Sequence, residues 1–126
     1  MIVIDARSPK PLGEQVEAGL RAAIAAGDVA PGDRLPTVRQ LAGDLGVSLN
    51  TVARAYRQLE SDGLVDSVRG RGTVVSSRTQ GNARTPASRD GIVAKLREVV
   101  ADARLAGLTR VQFEKLAVRA AAELWK

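Results

Sequence analysis

The sequence predicts a mainly α fold with a small β-wing: a winged helix-turn-helix domain followed by a two-helix C-terminal dimerisation hairpin. Three observations carry this. From Pro36 to Gly72 the chain reads PTVRQLAGDLGVSLNTVARAYRQLESDGLVDSVRGRG, which holds two capped helices ending at Gly46 and Gly63 with a three-residue turn between them. Behind them stand two short β-like runs joined by a glycine turn flanked by arginines. After a polar stretch, apolar residues return at helical spacing.

The elements follow in order. Ile2, Val3 and Ile4 are β-branched and are expected to form a short first strand. Ser8-Pro9 and Pro11 punctuate the chain before a helix whose stripe is Leu12, Val16, Leu20 and Ile24, with Gly27 as a left-handed stop. PGDRLP, from Pro31, carries two prolines and cannot be helical throughout. Thr37 is an N-cap and Gln40 completes a capping box; Val38, Leu41, Ala42 and Leu45 give that helix its buried face. Ser48 caps the third helix, residues 48–62. There Val52, Tyr56 and Leu59 fall on one side and Asn50, Arg54 and Arg57 on the other, at about 100° per residue.

Leu64 to Val68 and Thr73 to Val75 form a hairpin around Arg69-Gly70-Arg71-Gly72. Residues 77–88 lie in a turn-rich, aperiodic stretch expected to be a linker, dividing a DNA-binding domain at 1–76 from a helical dimerisation domain at 89–126. The first helix of that second domain carries Val93, Leu96, Val100 and Ala103 and stops at Gly107. Thr109 and Gln112 cap the second, which carries Phe113, Leu116, Ala120 and Leu124.

Composition narrows the function. Aromatics are 2% of 126 residues, so the core is thin, and dimerisation is a natural way to bury more surface. The chain has no Cys and no His, which excludes a disulfide framework, a Cys/His zinc site and the ordinary His general base. No catalytic constellation stands out and no cofactor is expected, so an enzyme is the weakest reading. No apolar run approaches the roughly 20 residues that span a bilayer. Asp5 breaks the N-terminal apolar stretch, so it does not read as a signal peptide. A cytoplasmic protein with no membrane partner is expected.

The net charge is +5 and the pI about 10.4, which favours a polyanionic partner. Met1 to Val75 holds nine basic and nine acidic residues, so the excess lies beyond it. Within that neutral part the signs segregate: Ser48 to Gln58 and Ser67 to Val75 carry arginines and no acid. The local field is positive where a recognition helix and wing would meet DNA. Asn50 suits adenine, and Arg54 or Arg39 guanine, in the major groove. Thr37 and Ser48 are caps first, and phosphate contact adds to that role because helix N-termini favour anions. Arg34, in the loop before Pro36, and Thr51 join the candidate DNA-binding set. Arg54 and Arg57 could instead form a solvated face, and Arg69, Gly70 and Arg71 a solvated turn rather than a minor-groove wing.

The segments PLGEQVEAGLRAAI, PGDRLPTVRQLAGDLGVS, NTVARAYRQLESDGLV and RGRGTVV resemble the GntR family of bacterial transcription regulators over about the first 75 residues. The short helical tail is similar to the YtrA-like subfamily, which lacks the large effector-binding domains of other branches. The resemblance implies a homodimer held mainly by the C-terminal helices, binding a two-fold DNA operator as a repressor. It also implies that Thr37 meets phosphate, that Arg39, Ser48, Asn50 and Thr51 contact DNA, and that Gly70 is the wing tip. Leu49 and Ala53 depart from the family pattern, where arginine (or, at Leu49, proline) is common, and Gly13 replaces a usual tyrosine. Val93, Leu96, Val100, Phe113, Leu116 and Leu124 are the candidate dimer contacts, with a small-molecule effector between the helices as the lesser alternative. A protein-interaction module and a non-specific nucleic-acid binder are the rival readings. The first would put apolar residues where Asn50, Arg54 and Arg57 stand, and the second would show no preference among duplexes.

Overall fold

The computed structural model describes residues 2, 4–77 and 89–125. The chain divides into two compact units. The first holds α1 (Leu12–Ala26), α2 (Val38–Leu45), α3 (Leu49–Ser61), β1 (Val65–Val68) and β2 (Gly72–Val75). The second holds α4 (Arg89–Leu105) and α5 (Arg110–Leu124). Apart from Ser77, the expected linker at 77–88 lies outside the described residues.

In the first unit α3 is the hub. Its buried residues are Val52, Ala55, Tyr56 and Leu59. They join Val16, Leu20 and Ile24 of α1, Leu41 and Ala42 of α2, and Val65 and Val75 of the strands in one core. The 3.6-residue period makes this possible, since positions 52, 55, 56 and 59 share one side of a helix. Leu12, expected at the head of the α1 stripe, stays exposed, so the stripe begins at Val16.

The helix ends are as the capping residues dictate. Thr37 Oγ1 accepts the Gln40 N–H at 3.1 Å, and the Thr37 N–H donates to Gln40 Oε1 at 2.9 Å. Ser48 Oγ accepts the Thr51 N–H at 3.1 Å. Gly46 takes φ 69° beyond α2, where an L side chain would be strained.

β1 and β2 pair antiparallel, with Val65 opposite Val75 and Val68 opposite Gly72. The loop before α2 supplies a further edge. The Leu35 N–H donates to the Thr73 carbonyl and the Val75 N–H to the Asp33 carbonyl, each at 2.8 Å, and Arg34 bridges Val74. β2 is therefore paired on both sides, and the wing is anchored to the segment that leads into α2.

The N-terminus differs from expectation. Ile2 and Ile4 are not in a strand, and Val3 lies outside the described residues. A strand needs a neighbour for its backbone, and here side chains supply the partners instead. Gln15 Oε1 accepts the Asp5 N–H at 2.8 Å, and Gln15 Nε2 donates to the carbonyls of Asp5 and Lys10 at 3.0 and 2.9 Å. Ile2 and Ile4 pack against the core. Ile2 also crosses α1 at Gly19, where a Cβ would stand 2.8 Å from Ile2 Cγ2.

Two polar ties hold α3 in place. Arg21 of α1 pairs with Glu17 at 3.1 Å and with Asp62 at the end of α3, and Asp62 also accepts from Gln58 Nε2 at 3.1 Å. At the other end the Tyr56 hydroxyl donates to the Pro36 carbonyl at 2.6 Å, immediately before the cap of α2.

In the second unit, a turn with Gly107 at φ 88° reverses the chain, and the Thr109–Gln112 capping box starts α5. Neither α4 nor α5 buries a residue. Their apolar stripes exist but are open: Leu96 is 52% exposed and Leu116 47%.

Tyr56 is 6% exposed, and burial pushes its pKa from 10.0 up to about 12. The neutral phenol is thus favoured in the folded state. The stability it contributes is complete below pH 10 and is lost as pH rises toward 12. Tyr56→Phe should cost about 1 kcal/mol at neutral pH by stranding the Pro36 carbonyl. It should also remove this alkaline loss, read by denaturant unfolding from pH 7 to 11. Thr37→Ala removes the α2 cap and should cost about 1 kcal/mol, measured the same way.

Candidate nucleic-acid interface

The buried side of α3 determines what its opposite side presents. With Val52 and Leu59 inward, Asn50, Arg54 and Arg57 all point outward and are exposed. Arg39, on the outer face of α2, is exposed as well. None of Arg34, Arg39, Arg54, Arg57, Arg69 or Arg71 is ion-paired among the described residues. Their charges are available to an anionic partner.

The ridge is not uniform. Arg57 shares a polar hollow of about 630 Å³ with Glu60, Ser61, Asp66 and Ser67. Ser67 Oγ donates to Glu60 Oε2 at 2.6 Å across that hollow, joining the wing to the end of α3. The acid-free part of the helix therefore runs through Asn50 and Arg54, and Arg57 stands at its margin.

The capping residues have their donors and acceptors partly committed. Ser48 Oγ lies 2.7 Å from Thr51 Oγ1 as well as accepting the Thr51 N–H. Thr51 is only partly exposed, and its methyl group lies 3.8 Å from where a Cβ on Gly13 would stand. Thr51 thus also fits the start of α1 against the start of α3. Thr37 and Ser48 remain exposed, at the N-termini of α2 and α3, where unpaired backbone N–H groups favour anions.

The wing is a tight turn. The Arg71 N–H donates to the Val68 carbonyl at 2.9 Å, and Gly70 and Gly72 adopt φ 85° and 79°. Arg69 and Arg71 flank an exposed Gly70. Arg71 Nη2 reaches the Gly32 carbonyl at 3.4 Å, a long contact that leans the side chain toward the loop before α2. Arg34 sits in that same loop, opposite Val74. The fold thus groups the candidates into two sets: Thr37, Arg39, Ser48, Asn50, Thr51, Arg54 and Arg57 on the helix pair, and Arg34, Arg69, Gly70 and Arg71 around the wing.

One exposed side chain was not among the candidates. Leu49, the first residue of α3, is 47% exposed, whereas Leu45 and Val47 just before it pack against the core. Helical spacing alone would not have singled it out: three residues before Val52 and seven before Tyr56, it falls at the edge of the buried stripe, and its exposure comes from the packing of α3.

The six candidate contacts of the second unit do not converge equally. Leu96, Phe113, Leu116 and Leu124 line one apolar groove of about 700 Å³ with Leu108 and Trp125. Val100 borders a smaller hollow of about 360 Å³ beside the turn, and Val93 lines neither. Among the described residues no group of His, Cys, Asp or Glu could hold a metal, and no helix is long and apolar enough to cross a membrane.

Comparison with known proteins agrees with this geometry. Residues 12–75 match the family described as bacterial regulatory proteins, gntR family. The chain is 39% identical over 119 residues to the HTH-type transcriptional repressor YtrA of Bacillus subtilis, covering 92% of this chain and 86% of that one. Among solved structures, YtrA from Sulfolobus acidocaldarius, a GntR-family transcription factor, superposes with a TM-score of 0.62 at 33% identity, over 79% of this chain and 97% of that one. The DNA-binding domain of AraR in complex with operator ORX1 superposes with a TM-score of 0.55 at 31% identity, over 60% of this chain and 96% of that one. The family match spans α1, both helices of the helix-turn-helix and the wing, so the chain belongs to the GntR family of bacterial regulatory proteins.

Proposed function

We propose that the protein is a homodimeric transcriptional repressor that reads a two-fold DNA operator. α3 enters the major groove, and the wing at 69–72 enters the minor groove. The observation that carries this is the exposed face of α3, where Asn50 and Arg54 stand without an acidic partner while the opposite face is fully buried. Asn50 pairs with adenine and Arg54 with guanine, by the bidentate geometry those side chains share with the base edges. Arg39 adds a base or phosphate contact from α2. Thr37, Ser48 and Thr51 hold the backbone of the two helix starts toward phosphate. Arg34, Arg69 and Arg71 surround Gly70, which lets the wing backbone approach the minor groove.

Residues 1–76 form the DNA-binding part and 89–126 the dimerisation part, with 77–88 between them. Support for the second assignment is energetic. α4 and α5 expose Leu96, Val100, Leu116 and Leu124 to water, and a second hairpin covers such a stripe most economically. Dimerisation through Val93, Leu96, Val100, Phe113, Leu116 and Leu124 also pairs two recognition helices, as a two-fold operator requires. A small-molecule effector in the 700 Å³ groove is the second reading, favoured by its volume alone. The names of the relatives support regulation rather than catalysis.

Fluorescence anisotropy on duplexes from the protein's own upstream region and on scrambled duplexes, at two salt concentrations, tests the proposal. Selection from a random duplex library covers operators elsewhere. A preference of roughly 10³ over scrambled DNA is expected. Arg54→Ala should reduce that preference by about tenfold or more with little change in non-specific binding. Equal binding to every duplex, with strong salt sensitivity, would leave only a non-specific binder. Leu116→Glu should shift the protein from dimer to monomer in analytical ultracentrifugation. It should weaken operator binding at least tenfold by separating the half-site contacts.

A further inference from the structure

We propose that Leu49 reads the 5-methyl group of a thymine, so that the operator carries an obligatory thymine beside the base pair contacted by Asn50. The inference rests on the operator-reading function above and adds a residue and a base to it.

Three observations point to this. In the first unit Leu12, Leu49 and Val68 are the large apolar side chains exposed among the described residues, and Leu49 is the most open at 47%. It is the first residue of α3, next to the Ser48 cap, in the part of a recognition helix that comes closest to base edges. It also has a small neighbour on the same flank. Ala53 is one helical turn on, so the pair forms a shallow apolar flank beside the polar ridge of Asn50 and Arg54.

The chemistry then selects the base. Leucine has no donor or acceptor, so it cannot use the groove edges of guanine, cytosine or adenine. Thymine alone carries a methyl group in the major groove, and apolar side chains recognise it by contact. A positive, acid-free ridge on one side and an apolar flank on the other match a hydrogen-bonding edge next to a methyl group. Opposite a cytosine, the same leucine would desolvate an exocyclic amine without replacing its hydrogen bond. Helix formation does not require leucine here, because Ser48 and Thr51 supply the cap.

The test uses the duplex selected by the wild-type protein from a random library. Each thymine is replaced singly by deoxyuridine, which removes the methyl group and keeps the pairing. One thymine per half-site should be sensitive, with about a three- to fivefold loss of affinity from a single buried methyl. For Leu49→Ala, thymine and deoxyuridine at that position should bind within twofold of each other, and Leu49→Val should retain an intermediate difference. Indifference of the wild-type protein to deoxyuridine at every position overturns the inference and leaves the operator reading intact. Equal sensitivity in wild type and Leu49→Ala also overturns it, by assigning the methyl contact to another side chain. No enriched duplex at all overturns the operator reading and the inference together. The wild-type series needs no variant, so it decides the matter even if a substitution harms folding.

Discussion

The packing of α3 sets the terms for the rest of the molecule. Val52 and Leu59 have no exposed surface, and Ala55 and Tyr56 very little. Every other element of the first unit contributes side chains to this one seam: α1 beneath it, α2 across it, and the strands at its end. Burying a fixed side of a helix orients the other side just as firmly. The outward direction of Asn50 and Arg54 is therefore a consequence of apolar packing, with no polar contact needed to aim them. Such a mount is rigid, because a rotation of α3 that displaced its outer residues would also expose the core side chains.

The two polar ties have a different role, since each joins elements at an end of α3. The Tyr56 hydroxyl holds the Pro36 carbonyl, and so sets the distance between α3 and the entry to α2. Arg21, Glu17, Asp62 and Gln58 bind the far end of α3 to α1. The wing is attached at both of its edges. Ser67 reaches Glu60 on α3, and the backbone of Asp33 and Leu35 pairs with β2. Recognition helix, helix-turn-helix entry and wing thus form one mechanical unit, the arrangement a reader of duplex DNA needs when contacts in two grooves must be in register.

The second unit presents the opposite case. The Thr109–Gln112 box starts α5 and Gly107 ends the turn after α4, yet neither helix buries a side chain. Local capping is enough to start and stop a helix, but a lasting tertiary position comes from covering its apolar face. Local helix signals and tertiary burial are thus separate physical problems, and only the first unit solves both within its own chain.

Most of the first unit was legible in the sequence because its signals are local. Thr37 with Gln40, Ser48 with Thr51, Gly46, and the spacing of Val52, Tyr56 and Leu59 act within a few residues, where capping and helical period decide the outcome. The same locality explains the Arg-Gly-Arg-Gly turn, whose glycines supply positive φ. What only the tertiary structure decided involves partners distant in sequence. Ile2 and Ile4 read as a strand by propensity, but Gln15 takes the backbone at Asp5 and Gly19 makes room for Ile2, contacts that no local pattern announces. Arg34 looked like a loop residue until β2 paired with its segment across some 40 positions. Arg57 shared the polar ridge by helical spacing alone, and only the approach of β1 brought Asp66 beside it. Leu49 was readable as apolar, but its exposure depended on how α3 is packed. Period and capping act through the backbone within a turn, whereas burial and charge environment depend on which distant surface arrives, and that is settled only when the core closes.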